Sequence, residues 1–175
     1  MTTLPRALGV SAVLALLVPV AACSGSVSVG GPPEIDQQAL EADLLAGISG
    51  EDADQVEVSC EGPLVAEVDA STDCFAEFTV DGSRTGIRPT VITAEGEDVE
   101  YDAVVFIDGD SVAGVVQQQL RAQAEPASEV ECGELLGERA ATGECTVTDR
   151  AGETPVVTTV TEVNGLRVDF EFEPA

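Results

Sequence analysis

Residues 40–64 read LEADLLAGISGEDADQVEVSCEGPL, and residues 112–136 read VAGVVQQQLRAQAEPASEVECGELL. At this offset of 72, Leu40, Leu44, Ile48, Val58, Cys60 and Leu64 fall on Val112, Val116, Leu120, Val130, Cys132 and Leu136. An offset of 71 brings Cys74 onto Cys145, and one of 69 brings Val91, Gly96, Val99 and Tyr101 onto Val160, Gly165, Val168 and Phe170. The offset changes only where loops would sit, so the spacing predicts two tandem copies of one unit. A core of roughly 70 residues is marginal alone.

Within the first copy, Leu40, Leu44, Leu45 and Ile48 recur at helical spacing between acidic neighbours, and Gly47 and Gly50 are stop signals. Val56 to Cys60 alternates as a strand. Cys74 to Val80 is a second strand closed by the turn pair Asp81-Gly82, Ile87 to Thr93 a third, and Val99 to Ile107 a fourth after Glu95-Gly96. Asp108-Gly109-Asp110-Ser111 then offers an N-cap to a second helix striped by Val112, Val115, Val116 and Leu120. Strands follow around Val130, Cys145 to Val147, Pro155 to Val163 and Leu166 to Phe172, the last two joined at Asn164-Gly165. The expected fold class is α+β: two tandem repeats, 34–108 and 109–175, each one helix followed by a four-stranded antiparallel sheet with one disulfide. Val104-Val105-Phe106-Ile107 does not alternate, which predicts cover on both faces and contact between the lobes there.

The chain has five cysteines. An odd number needs explaining in an exported protein. Val20-Ala21-Ala22-Cys23 resembles a bacterial lipobox, in which the thiol takes a diacylglyceryl group and the preceding bond is cut. Met1 to Arg6 supplies the charged start and Ala7 to Val20 the apolar run of a signal peptide at 1–22. A membrane span needs about 20 apolar residues, and this run is interrupted by Gly9, Ser11 and Pro19. Lipidation of Cys23, with acyl chains such as palmitate, implies a stable anchor in the cell membrane on its extracytoplasmic face, since two chains hold where one does not. Residues 23–33 form a Ser/Gly/Val tether closed by Pro32-Pro33, reaching about 35 Å at most. Cys60, Cys74, Cys132 and Cys145 remain, an even set in an oxidising compartment. Four cysteines allow three connectivities, of which the repeat favours Cys60 with Cys74 and Cys132 with Cys145.

Loss of residues 1–22 leaves six Arg against 33 acids, a net charge of −27. Such a chain repels nucleic acid and anionic lipid. With no His and no Lys, Ser-His-Asp, Cys-His, Ser-Lys and Schiff-base chemistry are impossible. A paired-carboxylate hydrolase stays conceivable, although 3% aromatic residues do not suggest a sugar-stacking cleft. The acidic clusters Glu51-Asp52-Ala53-Asp54, Glu95-Gly96-Glu97-Asp98 and Asp108-Gly109-Asp110 do not fit EF-hand spacing, and Asp108 and Asp110 read as turn and cap residues. No catalytic residue, metal ligand or cofactor is expected.

Cys132-Gly133-Glu134-Leu135, Gly143-Glu144-Cys145-Thr146-Val147-Thr148, Val160-Thr161-Glu162-Val163-Asn164-Gly165 and Val168-Asp169-Phe170 resemble a domain of unknown function, family 4333. The likeness covers about 45 residues of the second copy and is weaker in the first, where Thr72 stands in place of the Gly. It implies a small module of actinobacterial lipoproteins and membrane proteins, and it supplies no catalytic residues. In architecture the tandem helix-plus-sheet plan also resembles secreted β-lactamase inhibitor proteins. Interface hot spots favour Trp, Tyr and Arg, whereas this chain has no Trp and its one Tyr, Tyr101, matches Phe170 and reads as a core ring.

The expected function is a non-catalytic, lipid-anchored envelope module that binds or supports an unnamed partner. Its partners are the membrane, through lipid on Cys23, and an envelope protein or a small ligand. The alternative is an inhibitor-like protein or small-ligand carrier. A large apolar cavity between helix and sheet favours a carrier, and a flat acidic surface with an exposed apolar patch favours protein binding.

Overall fold

The computed structural model describes residues 33–48, 54–96, 98–123, 127 and 129–175. The signal segment, Cys23, the tether as far as Pro32, Gly50, the acids Glu51 and Asp52, and Glu97 lie outside the described residues.

Asp36 caps α1 (Gln37–Gly47), its Oδ1 accepting from the Gln38 N–H at 3.0 Å and the Ala39 N–H at 3.4 Å. These are two of the donors that a helix start leaves open. The helix ends at Gly47, and the Ile48 N–H closes on the Leu44 and Leu45 carbonyls. Leu40 and Leu44 are buried, but Leu45 is 38% exposed, so the inward stripe is narrower than the sequence predicts. Asp108 caps α2 (Gly109–Ala122) by accepting from the Ser111 N–H at 3.0 Å and its hydroxyl at 2.9 Å. Burial works against the Asp108 charge, but the Ser111 donors and the Arg84 guanidinium outweigh it and hold the carboxyl below the ordinary aspartate range. The inward face of α2 buries Val112, Val116 and Leu120.

The strands are β1 (Glu34–Ile35), β2 (Val56–Cys60), β3 (Leu64–Val65), β4 (Cys74–Phe78), β5 (Arg84–Glu95), β6 (Asp98–Ile107), β7 (Glu129–Cys132), β8 (Leu135–Leu136), β9 (Thr142–Thr148), β10 (Glu153–Asn164) and β11 (Arg167–Pro174). β4 is shorter than predicted because the Phe78 N–H turns to the Ser83 carbonyl and the Gly82 N–H to the Phe78 carbonyl, which leaves Val80 in the turn. The turns expected at Asp81-Gly82, Glu95-Gly96 and Asn164-Gly165 place their glycines at φ +69°, +67° and +61°. That left-handed region carries little cost for Gly.

All strand pairs are antiparallel, which with two helices gives the mixed α+β class. The described residues form three sheets rather than the two four-stranded sheets predicted. One has the order β2-β4-β5-β6-β8, a second β11-β10-β9-β7, and β1 with β3 makes a third. The fifth strand arises because Leu135 and Leu136 pair with Ile107 and Phe106, extending the first sheet with residues from the other half of the chain. Residues from the second half of the chain therefore pair with Phe106 and Ile107 of the non-alternating run, but Val104 is 39% exposed rather than covered on both faces.

Each disulfide bridges directly opposed residues of a strand pair, Cys60 with Cys74 across β2 and β4, and Cys132 with Cys145 across β7 and β9. Closing a loop of about 15 residues stabilises by roughly 3 kcal/mol on the chain-entropy account. Asp69 and Ala140 take positive φ of 69° and 65°, and their N–H groups donate to the Val91 and Val160 carbonyls. A register shift falls between Val91 and Thr93 in the first sheet and between Val160 and Glu162 in the second.

Two cores result. Leu40, Leu44, Val56, Leu64, Ala76, Phe78, Ile87 and Val91 belong to the first, with α1 against the sheet. Val112, Val116, Leu120, Leu135, Val156 and Val160 belong to the second, with α2 against the other. One residue crosses over: Leu166, next to the tip of the β10–β11 hairpin, is 6% exposed and belongs to the first core. No described helix is long and apolar enough to cross a membrane.

Candidate functional site

Polar bonds fix how α1 lies on the sheet. Glu41 Oε1 accepts from the Cys60 N–H at 2.9 Å and from Gln37 Nε2 at 2.9 Å, while Gln37 Nε2 also donates to the Cys60 carbonyl at 2.8 Å. The Cys60 N–H, and after it the Gln37 amide, hold the Glu41 carboxyl below the ordinary glutamate range. The first half of α1 is thereby pinned to the end of β2. Its last turns face β5 and β6 across a gap.

That gap is a groove of about 780 Å³. Leu44, Ala46, Gly47 and Ile48 of α1 and its C-cap form one wall, Ile87 of β5 with Val99, Ala103 and Val105 of β6 another, and Gly165 and Leu166 close it from the hairpin tip. Val99, Tyr101, Ala103 and Val105 alternate along β6, so the pleat turns all four toward α1. Asp43 and Tyr101 supply polar side chains to the lining, the Tyr101 hydroxyl donating to Asp43 Oδ2, while Glu100 borders the groove but alternates with Tyr101, so its side chain turns to the other sheet face. Tyr101 also packs against the first core, so its ring behaves as the repeat pattern predicts while its hydroxyl serves the groove. No Arg is among the lining residues. Volumes of about 300–1,000 Å³ with apolar walls and a few polar groups are those of ligand pockets.

The chain matches no protein-family model, no curated protein and no solved structure. The chemistry of its surfaces is therefore the guide to its role.

The opposite face of the first sheet is built differently. Phe75, Gly86, Phe106 and Leu136 are successive partners across β4, β5, β6 and β8, so they form one row. A Cβ on Gly86 would collide with the Phe106 ring, which explains the glycine. Arg84 lies 4.1 Å over Phe75 and Arg88 4.5 Å over Phe106, and the two rings meet edge to face at 5.9 Å. Arg88 also donates to both Asp73 oxygens, at 2.6 and 3.1 Å, and to both Glu134 oxygens, at 2.8 and 2.7 Å. Nothing in the sequence pattern marks these partners, because they come from three separated segments. Composition alone, which makes each Arg rare, is the available signal.

A second, polar hollow of about 660 Å³ is lined by Glu131, Cys132, Glu134, Thr142, Glu144 and neighbouring residues. Among the described residues no group of His, Cys, Asp and Glu is arranged to hold a metal ion. Asp54, Glu95, Asp98 and Asp110, the described members of the acidic clusters, are exposed, while Asp108 serves α2 as its cap. Cys60, Cys74, Cys132 and Cys145 are disulfide-bonded, and none of them lines the groove.

Proposed function

We propose that the protein is a non-catalytic carrier of the cell envelope, held on the extracytoplasmic face by lipid on Cys23, that takes a small apolar ligand into the groove between α1 and the first sheet. The observation that carries this is the groove of about 780 Å³ with mainly aliphatic walls, formed where α1 leaves β5 and β6 uncovered. The lipobox-like Val20-Ala21-Ala22-Cys23 supports the anchor. The tandem-repeat reading belongs to the same proposal. It is supported by the recurrence, 69 to 72 residues apart, of the helix stripe, the disulfide, the positive-φ residue and the bulge. On that reading one copy lends Leu166 to the other, and the resemblance to family 4333 concerns the copy that lends it.

The test is saturable binding of the neutral fluorophore N-phenyl-1-naphthylamine to the mature chain, compared with Ala103→Trp, which fills the groove from an exposed position. Stoichiometric binding lost in the variant supports the reading. Binding that is absent, or unaffected by the variant, contradicts it.

A second reading, an inhibitor-like protein binder, is favoured by one observation. Ile92, Val104 and Leu136 are 49%, 39% and 42% exposed, and Val104 and Leu136 lie beside the Arg84–Phe75 and Arg88–Phe106 stacks on the other sheet face.

A further inference from the structure

We infer that the groove selects a ligand bearing an aryl group and seats one ring over Ala103, in the place that the Phe172 ring takes in the second lobe. This rests on the reading of the groove as a ligand site and adds to it the class of ligand and the residue that selects it.

The inward faces of the two sheets share one register at an offset of 69. Ile87, Pro89 and Val91 of β5 pair with Val105, Ala103 and Tyr101 of β6, and Val156, Thr158 and Val160 of β10 pair with Pro174, Phe172 and Phe170 of β11. Five residues of the groove lining, Leu44, Ile48, Ile87, Val99 and Tyr101, thus correspond to Val116, Leu120, Val156, Val168 and Phe170, and all five counterparts belong to the second core or pack against it. Ala103 corresponds to Phe172. Phe172 packs against that same core, whereas Ala103 is exposed and lines the groove. Matching walls therefore carry a ring in one lobe and stand open in the other for want of it.

A ligand that restores the ring covers apolar surface that the first lobe leaves to water. A flat ring does so with few bonds to immobilise, while an alkyl chain of equal hydrophobicity loses rotamer freedom along its length. A ring over Ala103 also lies one pleat repeat, roughly 6.6 Å, from Tyr101. That is within the range over which aromatic rings attract each other. Ala103 is the specificity-determining residue on this account, because a Phe there supplies the ring from the chain itself.

The experiment displaces N-phenyl-1-naphthylamine from the mature chain with phenylbutanol and with heptanol, two uncharged alcohols of similar hydrophobicity. Phenylbutanol is expected to displace at a concentration about fivefold lower than heptanol. Its ring protons are expected to show nuclear Overhauser contacts to the Ala103 methyl and the Tyr101 ring. Ala103→Phe is expected to weaken phenylbutanol at least tenfold. Equal displacement by the two alcohols, ring contacts that miss Ala103, or phenylbutanol binding unchanged in Ala103→Phe overturns the aryl inference, and the groove reading then stands on fluorophore binding that is lost in Ala103→Trp. Failure of the fluorophore and both alcohols to bind overturns the groove reading itself.

Discussion

Arg88 on β5 holds Glu134, 46 residues away, through two hydrogen bonds of 2.8 and 2.7 Å while its other edge grips Asp73. Glu134 immediately precedes β8, the strand that joins the first sheet from the second half of the chain. The guanidinium is 28% exposed and the Glu134 side chain 34%, so solvent screens the pair only in part.

Arg88→Ala is expected to destabilise the fold by about 1–2 kcal/mol, since bidentate pairs exceed ordinary surface pairs. A urea double-mutant cycle with Glu134→Ala is expected to return a coupling of roughly 0.5–1.5 kcal/mol. Additive single effects would contradict a direct link.

Leu166→Ala removes the side chain that the hairpin lends to the first core, at a site 6% exposed. A loss of about 2–4 kcal/mol follows if the gap does not collapse. The gap adjoins the groove, so N-phenyl-1-naphthylamine affinity is expected to change as well. A stability loss under 1 kcal/mol would show that the contact is superficial.

Cys132 is only partly buried, whereas Cys60 and Cys74 are 8% and 0% exposed. Access governs thiol–disulfide exchange. Under graded dithiothreitol, alkylation followed by mass spectrometry is expected to find Cys132–Cys145 opened first. Simultaneous opening would mean that reduction follows global unfolding.

The pH dependence follows from Glu41. The Cys60 N–H, then Gln37, hold its carboxyl below the ordinary value of 4.5. A folded value lower than the unfolded one stabilises the protein at pH above that ordinary value, and the contribution is lost as pH falls through the folded value. Glu41→Gln is thus expected to be less stable than the parent at pH 7 and to approach it toward pH 3. A gap that widens on acidification contradicts the bond.

The local features were legible in the sequence because each follows from neighbours along the chain. Asp108 as a cap, Gly165 as a left-handed turn and the alternation of Val56 to Cys60 need only a few adjacent residues. The disulfide pairing was legible because the internal match placed one pair in each copy. What was not legible depends on distant partners. Leu135-Leu136 is too short to carry a strand pattern, and its partners Ile107 and Phe106 lie about 28 to 30 residues earlier in the chain. Leu166 reads as the first residue of the expected strand Leu166 to Phe172 and in fact sits in the turn before β11, and nothing around it in the sequence signals that it enters the first core. The start of α1 is held to Cys60 by Gln37 and Glu41, side-chain bonds that hydrophobic periodicity does not record.

The most direct measurement is a methyl NMR titration of the mature chain with decyl maltoside below its micelle concentration. Saturable shifts at Leu44, Ile48, Ile87, Val99, Val105 and Leu166, the Leu, Ile and Val residues of the groove, are predicted. Shifts confined to Val104 and Leu136 on the opposite sheet face, or no saturable shifts, would contradict the carrier account.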